Sequence, residues 1–411
     1  MKINKPSKYF KFFVAGLFIS ATCWADAQQI KPITTNGYFR LGASSRNNAA
    51  RNACFQLAGA HTKYRLGNEC DGYADILLTG TPWFDQAGRE LRLRVGVATY
   101  GNDFSAGNIG LNTMPWFNNL YMELQKLPEL KGGSLWFGRR FYKRRNVMIN
   151  DFFYNNPTGD GLGIEDVSLL SGKFSYAYFR GNGDGDQEKA ARHSLQWSEL
   201  ALAKQQLTIG MQIITGEAYK HTPAAPQSGL QGFIELLSPL ADSWNNTLHF
   251  QYGNGPALGK GSADSLTTPA QQQRWLLLDY INFQLDSWSG QLLGLWQQDL
   301  GASSRSDWQS IGGRVAFALS ANTKLLAEMG HDTVREEQAA PRTLTKFTLA
   351  AALAPEKGFF SRPELRVYYT YAIWNAAAQR NAEAGSALAA DGIYGDSKHG
   401  YNIGIQVESW W

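Results

Sequence analysis

Past its first thirty residues the chain has no apolar run near the roughly 18 residues that would mark a membrane-crossing helix. A helical membrane protein is excluded. Proline is sparse, at 14 of 411 residues, and no linker, repeat or low-complexity tract breaks the chain, which argues for one large unit. Histidine is scarce as well. His61, His193, His221, His249, His331 and His399 are scattered, and none sits in a nucleophile or metal-binding motif. A membrane-embedded lipase or protease needs a close catalytic cluster, so an enzyme is not expected. What is abundant is glycine (42 residues) and aromatic side chains (13%), poor for a helical enzyme and good for a single all-β unit.

The first residues form an address. Lys2, Lys5, Lys8 and Lys11 precede the apolar stretch Phe12 to Ala21, and the small residues Ala25 and Ala27 follow. That pattern reads as a secretory signal peptide, its apolar core shorter than the roughly 20 residues of a membrane span. Residues 1–25 are expected to be removed, with cleavage near 25–27, leaving 26–411 as the mature domain. The four lysines account for the whole formal charge of +4, so the mature chain is close to neutral and nothing points to nucleic acid. Cys23 is expected to leave with the peptide. Cys54 and Cys70 remain, and an even pair in an exported protein reads as one disulfide closing a short loop.

Period-two alternation is the main structural signal, because neighbouring strand residues face opposite sides of a sheet. At the C-terminus Tyr401, Ile403, Ile405 and Val407 share one parity with Trp411, whereas Asn402, Gly404, Gln406, Glu408 and Trp410 share the other. Leu91, Leu93, Val95 and Val97 alternate with Arg92, Arg94 and Gly96. Leu365, Val367, Tyr369, Tyr371 and Ile373 alternate with Arg366, Tyr368, Thr370 and Trp374. Near the start Phe39, Leu41 and Ala43 oppose Tyr38, Arg40 and Gly42. About eighteen such segments occur, from one near Tyr38 to one near Tyr401, the weakest near Ile164 and His193. The expected fold is all-β: a transmembrane antiparallel barrel with one parity toward lipid and the other toward water. A soluble sandwich would also alternate, but not with such an outer face. Aromatics near strand ends, such as Trp83, Phe84 and Phe359, would then sit at the membrane interfaces.

Three stretches carry a family resemblance. The first is Cys54-Phe55-Gln56 followed by Thr62-Lys63-Tyr64-Arg65-Leu66-Gly67-Asn68-Glu69-Cys70, which resembles the first external loop of the maltoporins with its disulfide. The second, Trp136-Phe137-Gly138-Arg139-Arg140-Phe141-Tyr142 with Asp151-Phe152-Phe153-Tyr154, is similar to the family's fifth strand and inward-folded third loop. The third runs from Arg362-Pro363 through Arg366-Val367 to Thr370-Tyr371-Ala372 and Trp374, and with Glu408, Trp410 and Trp411 it resembles the last two strands. The section from about Gly181 to Gln309 matches only weakly.

The resemblance implies a homotrimer of eighteen-stranded barrels in the bacterial outer membrane, passing oligosaccharides of the maltodextrin type, or related ones, by facilitated diffusion without a cofactor. It places Tyr38, Tyr73, Trp374 and Trp410 on an aromatic slide along which sugar rings glide. Phe104 takes the position of a slide residue donated by a neighbouring subunit, and a further aromatic, due near Leu248 to Phe250, has no match. Arg40, Arg65, Asp75, Arg144 and Asp151 match the family's polar track. Arginine suits that work, because its planar fork presents several fixed donors. Lys143 and Arg145 read more readily as solvated surface charges. Departures cluster at the constriction: Phe153 replaces a tyrosine, Asn146 a carboxylate, Met148 a histidine and Asn118 an arginine, which leaves the preferred sugar open.

Two other channel classes compete. A plugged active receptor needs an N-terminal plug and more strands, yet Tyr38 already begins a strand. A non-specific diffusion porin would line its lumen with opposed charge rows and no aromatic track.

Overall fold

The computed structural model describes residues 31–45, 54–102, 114–182, 189–217, 226–260 and 265–411. Eighteen antiparallel strands form one sheet. The first, Lys31–Ser45, pairs with the last, His399–Trp410, Tyr38 lying opposite Trp410, and this seam closes the barrel. Closure leaves no edge whose amides would face hydrocarbon unpaired.

Each segment read from the alternation, including the weak ones near Ile164 and His193, falls in its own strand. The first strand starts at Lys31 rather than Tyr38, because Lys31 to Asn36 carries no clean alternation. The parity holds as well: Ile403 and Ile405 are 51% and 45% exposed on the outer face, whereas Asn402, Gln406 and Glu408 are buried on the inner one. Trp83 and Phe84 lie at the end of the strand Asp71–Phe84. Phe359 departs from expectation. It is buried rather than interfacial, its ring edge-on to Phe360 at 4.9 Å.

The interior is partly filled by two inward loops. The third loop, between the strands Gly133–Arg140 and Gly159–Leu169, folds back as a ribbon in which Arg145–Val147 pairs with Phe152–Asn155. Its Val147, Ile149, Phe152 and Tyr154 pack against lumen-facing Leu276, Leu278, Leu293, Leu295 and Trp308. These inward leucines therefore meet protein, not water. Burying apolar side chains of this size contributes on the order of 2 kcal/mol each, enough to hold the ribbon against one wall.

The first loop docks on the adjoining wall through Phe55, Leu57, Tyr64 and Leu66. The Leu66 amide donates to Glu328 at 3.0 Å, and Lys346 donates to the Leu66 carbonyl at 2.7 Å. Tyr64 lies directly over Gly312 and Gly330, where any Cβ would collide with its ring. The two loops also meet each other: Arg65 N donates to Ile149 O at 3.0 Å. Cys54 and Cys70 are bonded, with Cα atoms 5.9 Å apart, so the expected loop closure is present.

Candidate functional site

Between the docked loops and the wall built from the first strands lies a cavity of about 590 Å³. Tyr38, Arg40, Arg65, Tyr73, Asp75, Arg144, Asn146, Asp151, Phe153 and Trp410 all line it, together with Tyr100, Trp116, Met148 and Phe360. Strand parity positions the wall residues: Tyr38 and Arg40 stand two apart on the inner face of one strand, Tyr73 and Asp75 on that of the next, with Tyr38 paired to Asp75. Asn118 lines the adjoining cavity and reaches Asp75 at 3.4 Å.

The aromatic groups form a ladder. The rings of Tyr73 and Tyr38 are 5.9 Å apart, and those of Tyr38 and Trp410 are 6.4 Å apart and 12° from parallel. Arg362 sits over Trp410 at 4.2 Å, a cation on the ring's negative face. Hydrogen bonds tie the phenols to charges at their backs: Tyr38 donates to Glu408 at 2.8 Å and Tyr73 to Asp75 at 3.0 Å.

The polar side is heavily paired. Arg40 faces Glu69 at 3.1 Å, Asp71 at 3.0 Å and Asp151 at 3.3 Å. Arg65 meets Glu69 at 2.7 Å and Glu408 at 2.8 Å. Burial works against the Glu69 charge, but Arg65 and Arg40 outweigh it and hold the carboxyl below its usual range. Burial also opposes the charge on Arg65, which Glu408 and Glu69 nonetheless keep well above its ordinary pKa. Arg144 differs. Its guanidinium sits over the rings of Phe141 and Phe153, 4.1 Å from each, and burial lowers its pKa, with Tyr73, Asp151 and Asp75 offsetting that only in part.

Several expectations are corrected. Trp374 is not on the cavity: it is 3% exposed, packed between Phe55 of the first loop at 6.1 Å and Tyr394 at 5.9 Å. The first loop, together with the segment before the last strand that carries Tyr394, takes the ring that the lumen parity had left without a partner. Phe104 lies outside the described residues. Lys143 and Arg145 are not solvated surface charges; they pair with Asp166 and Glu235 and are each 16% exposed. Near Leu248 to Phe250 the inward residue is His249, its ring 4.6 Å from that of Tyr154, while Phe250 faces outward.

Tyr100, Trp116 and Phe360 went unread in the sequence. Tyr100 shares its parity with Arg92 and Arg94, and that signal could have found it. Trp116 is the first residue of its strand and Phe360 lies between strands, so neither carries a parity. No group of acidic, histidine or cysteine side chains among the described residues could hold a metal ion.

A closed eighteen-stranded barrel, apolar outside and narrowed inside by a loop, an aromatic ladder and fixed charges, defines a porin of the bacterial outer membrane. Its family follows from the sequence: the LamB porin profile matches residues 33–411, and the chain belongs to that family. Among solved structures, a BenF-like porin from Pseudomonas fluorescens Pf-5 superposes with a TM-score of 0.51 at 10% identity, covering 92% of this chain and 98% of that one. OccK3 (OpdO) of Pseudomonas aeruginosa gives 0.51 at 8% identity, with 92% and 95% covered. OccAB2 of Acinetobacter baumannii gives 0.50 at 8%, with 92% and 98% covered. At such identities the likeness concerns the fold alone.

Proposed function

We propose that this porin is sugar-selective and carries oligosaccharides by facilitated diffusion. The observation that supports it is the ladder of Tyr73, Tyr38 and Trp410 on the same cavity as Arg40, Arg65, Asp75 and Arg144. Aromatic faces meet the apolar faces of sugar rings, and the guanidinium and carboxylate groups exchange hydrogen bonds with hydroxyls. Such contacts are individually weak, and a channel needs sites that are easy to leave as well as to enter.

The test is sugar block of single channels formed by the purified protein in a planar bilayer, titrating maltohexaose, sucrose and cellobiose. Saturable block by one of them supports a specific porin and names its class. Open channels indifferent to every sugar favour a general diffusion pore, the reading toward which the many paired charges of the lumen lean.

The working unit we read as a homotrimer, with Phe104 reaching the channel of a neighbouring copy. A stable monomer with full sugar affinity would remove that exchange. Residues 1–25 we read as the export signal, and N-terminal sequencing of protein isolated from outer membranes checks the cleavage near 25–27.

A further inference from the structure

Arg144 stands apart from the other cations of the cavity. Arg40 and Arg65 are each held by two or more carboxylates. Arg144 has no carboxylate within ion-pair distance and no hydrogen-bond acceptor among the described residues, and its buried Nε is unpartnered. The faces of Phe141 and Phe153, each 4.1 Å away, hold the guanidinium without using its N–H groups.

The carboxylates in reach are already engaged. Asp75 accepts from Tyr38 N, Tyr73 and Asn118, and Asp151 faces Arg40. The third-loop ribbon sets Asn146 opposite Phe153, and neither can neutralise a cation. Arg144 also lines a second cavity beside the third loop, where Arg145 is already paired with Glu235 and Lys143 with Asp166.

We propose that Arg144 selects acidic oligosaccharides, those carrying carboxylates such as uronic-acid oligomers, over neutral ones of equal length. The inference rests on the reading of this cavity as a sugar path. A planar fork held over two rings keeps its parallel N–H groups for a carboxylate, a geometry that adds specificity to the charge. A neutral sugar supplies acceptors but brings no charge of its own to a cation that has no carboxylate in ion-pair contact.

The experiment compares block of wild-type channels by trigalacturonate and by cellotriose, at about 0.1 M and about 1 M KCl, where the screening length falls from roughly 10 to 3 Å. The acidic trimer is expected to block at about tenfold lower concentration in low salt, with the gap narrowing in high salt. Arg144→Gln removes the gap and Arg144→Lys keeps part of it. Equal or better block by cellotriose in wild type overturns the proposal, as does a gap that persists in Arg144→Gln while the variant still forms channels. If neither trimer blocks, the sugar path itself fails, which is a different result from the loss of acid preference.

Discussion

Tyr38 and Trp410 face each other across the seam where the first strand meets the last, their rings 12° from parallel. The closure that removes the barrel's edges thus also builds the centre of its aromatic track. A slip of one residue at that seam would set the two rings on opposite faces of the sheet and turn one of them toward lipid.

Trp410→Ala is therefore the direct test of the track. An aromatic contact of this kind contributes roughly 0.5–1.5 kcal/mol beyond simple burial. Sugar block should weaken about three- to tenfold, with single-channel conductance rising as the ring is removed. Titrated current block measures both. Unchanged block would leave the ladder without a role in transport.

Trp374→Ala should behave in the opposite way. Its ring lies under Phe55 and Tyr394, away from the cavity, so sugar block should change less than about twofold. Truncating a buried tryptophan typically costs about 3–5 kcal/mol, and the loss should appear as a lower urea midpoint for barrel unfolding. Weakened block at unchanged stability would return Trp374 to the sugar path.

How far the sequence could be read follows from the same packing. Alternation is legible wherever the inner parity is largely polar, as in Glu364–Trp374 and His399–Trp410, even though loops bury those side chains. It fails where the third loop docks. In Leu276-Leu277-Leu278 and Leu292-Leu293 both parities are apolar, one for lipid and one for Val147 and Ile149. The weak stretch between Gly181 and Gln309 includes this wall. Parity told which aromatics face inward; it could not tell that Trp374 would be covered by a loop while Tyr38 stayed open to the cavity. The free state of Arg144 was illegible for a like reason, because its carboxylate neighbours are claimed by partners distant in sequence, such as Arg40 for Asp151.

Gly330→Ala tests how the first loop is seated. A Cβ at this position would meet the Tyr64 ring, which packs flat against the strand. The ring must move, and with it the loop that narrows the lumen. We expect a larger and noisier single-channel conductance, reversed when Tyr64→Ala is added in the same chain. Wild-type conductance in Gly330→Ala would mean that the Leu66 anchor alone sets the loop.

The disulfide should matter to one part of that loop and not the other. Cys54 and Cys70 are 16 residues apart, and a bridge over a loop of that size contributes roughly 3 kcal/mol by limiting the unfolded chain. The end of the loop near Leu66 and Gly67 has its own anchors, since Lys346 and Thr348 bind the Leu66 carbonyl and Thr370 binds that of Gly67. Gln56 to Lys63 has fewer, Thr62 donating to Asn150 O among them. The Cys54→Ser, Cys70→Ser double variant is therefore expected to keep near-normal conductance and sugar block. Limited proteolysis should nevertheless cut it at Lys63, where the oxidised wild type resists. Cleavage equal in both would show that the bridge does not hold this segment, and a large rise in conductance would show that the anchors at Leu66 and Gly67 depend on it.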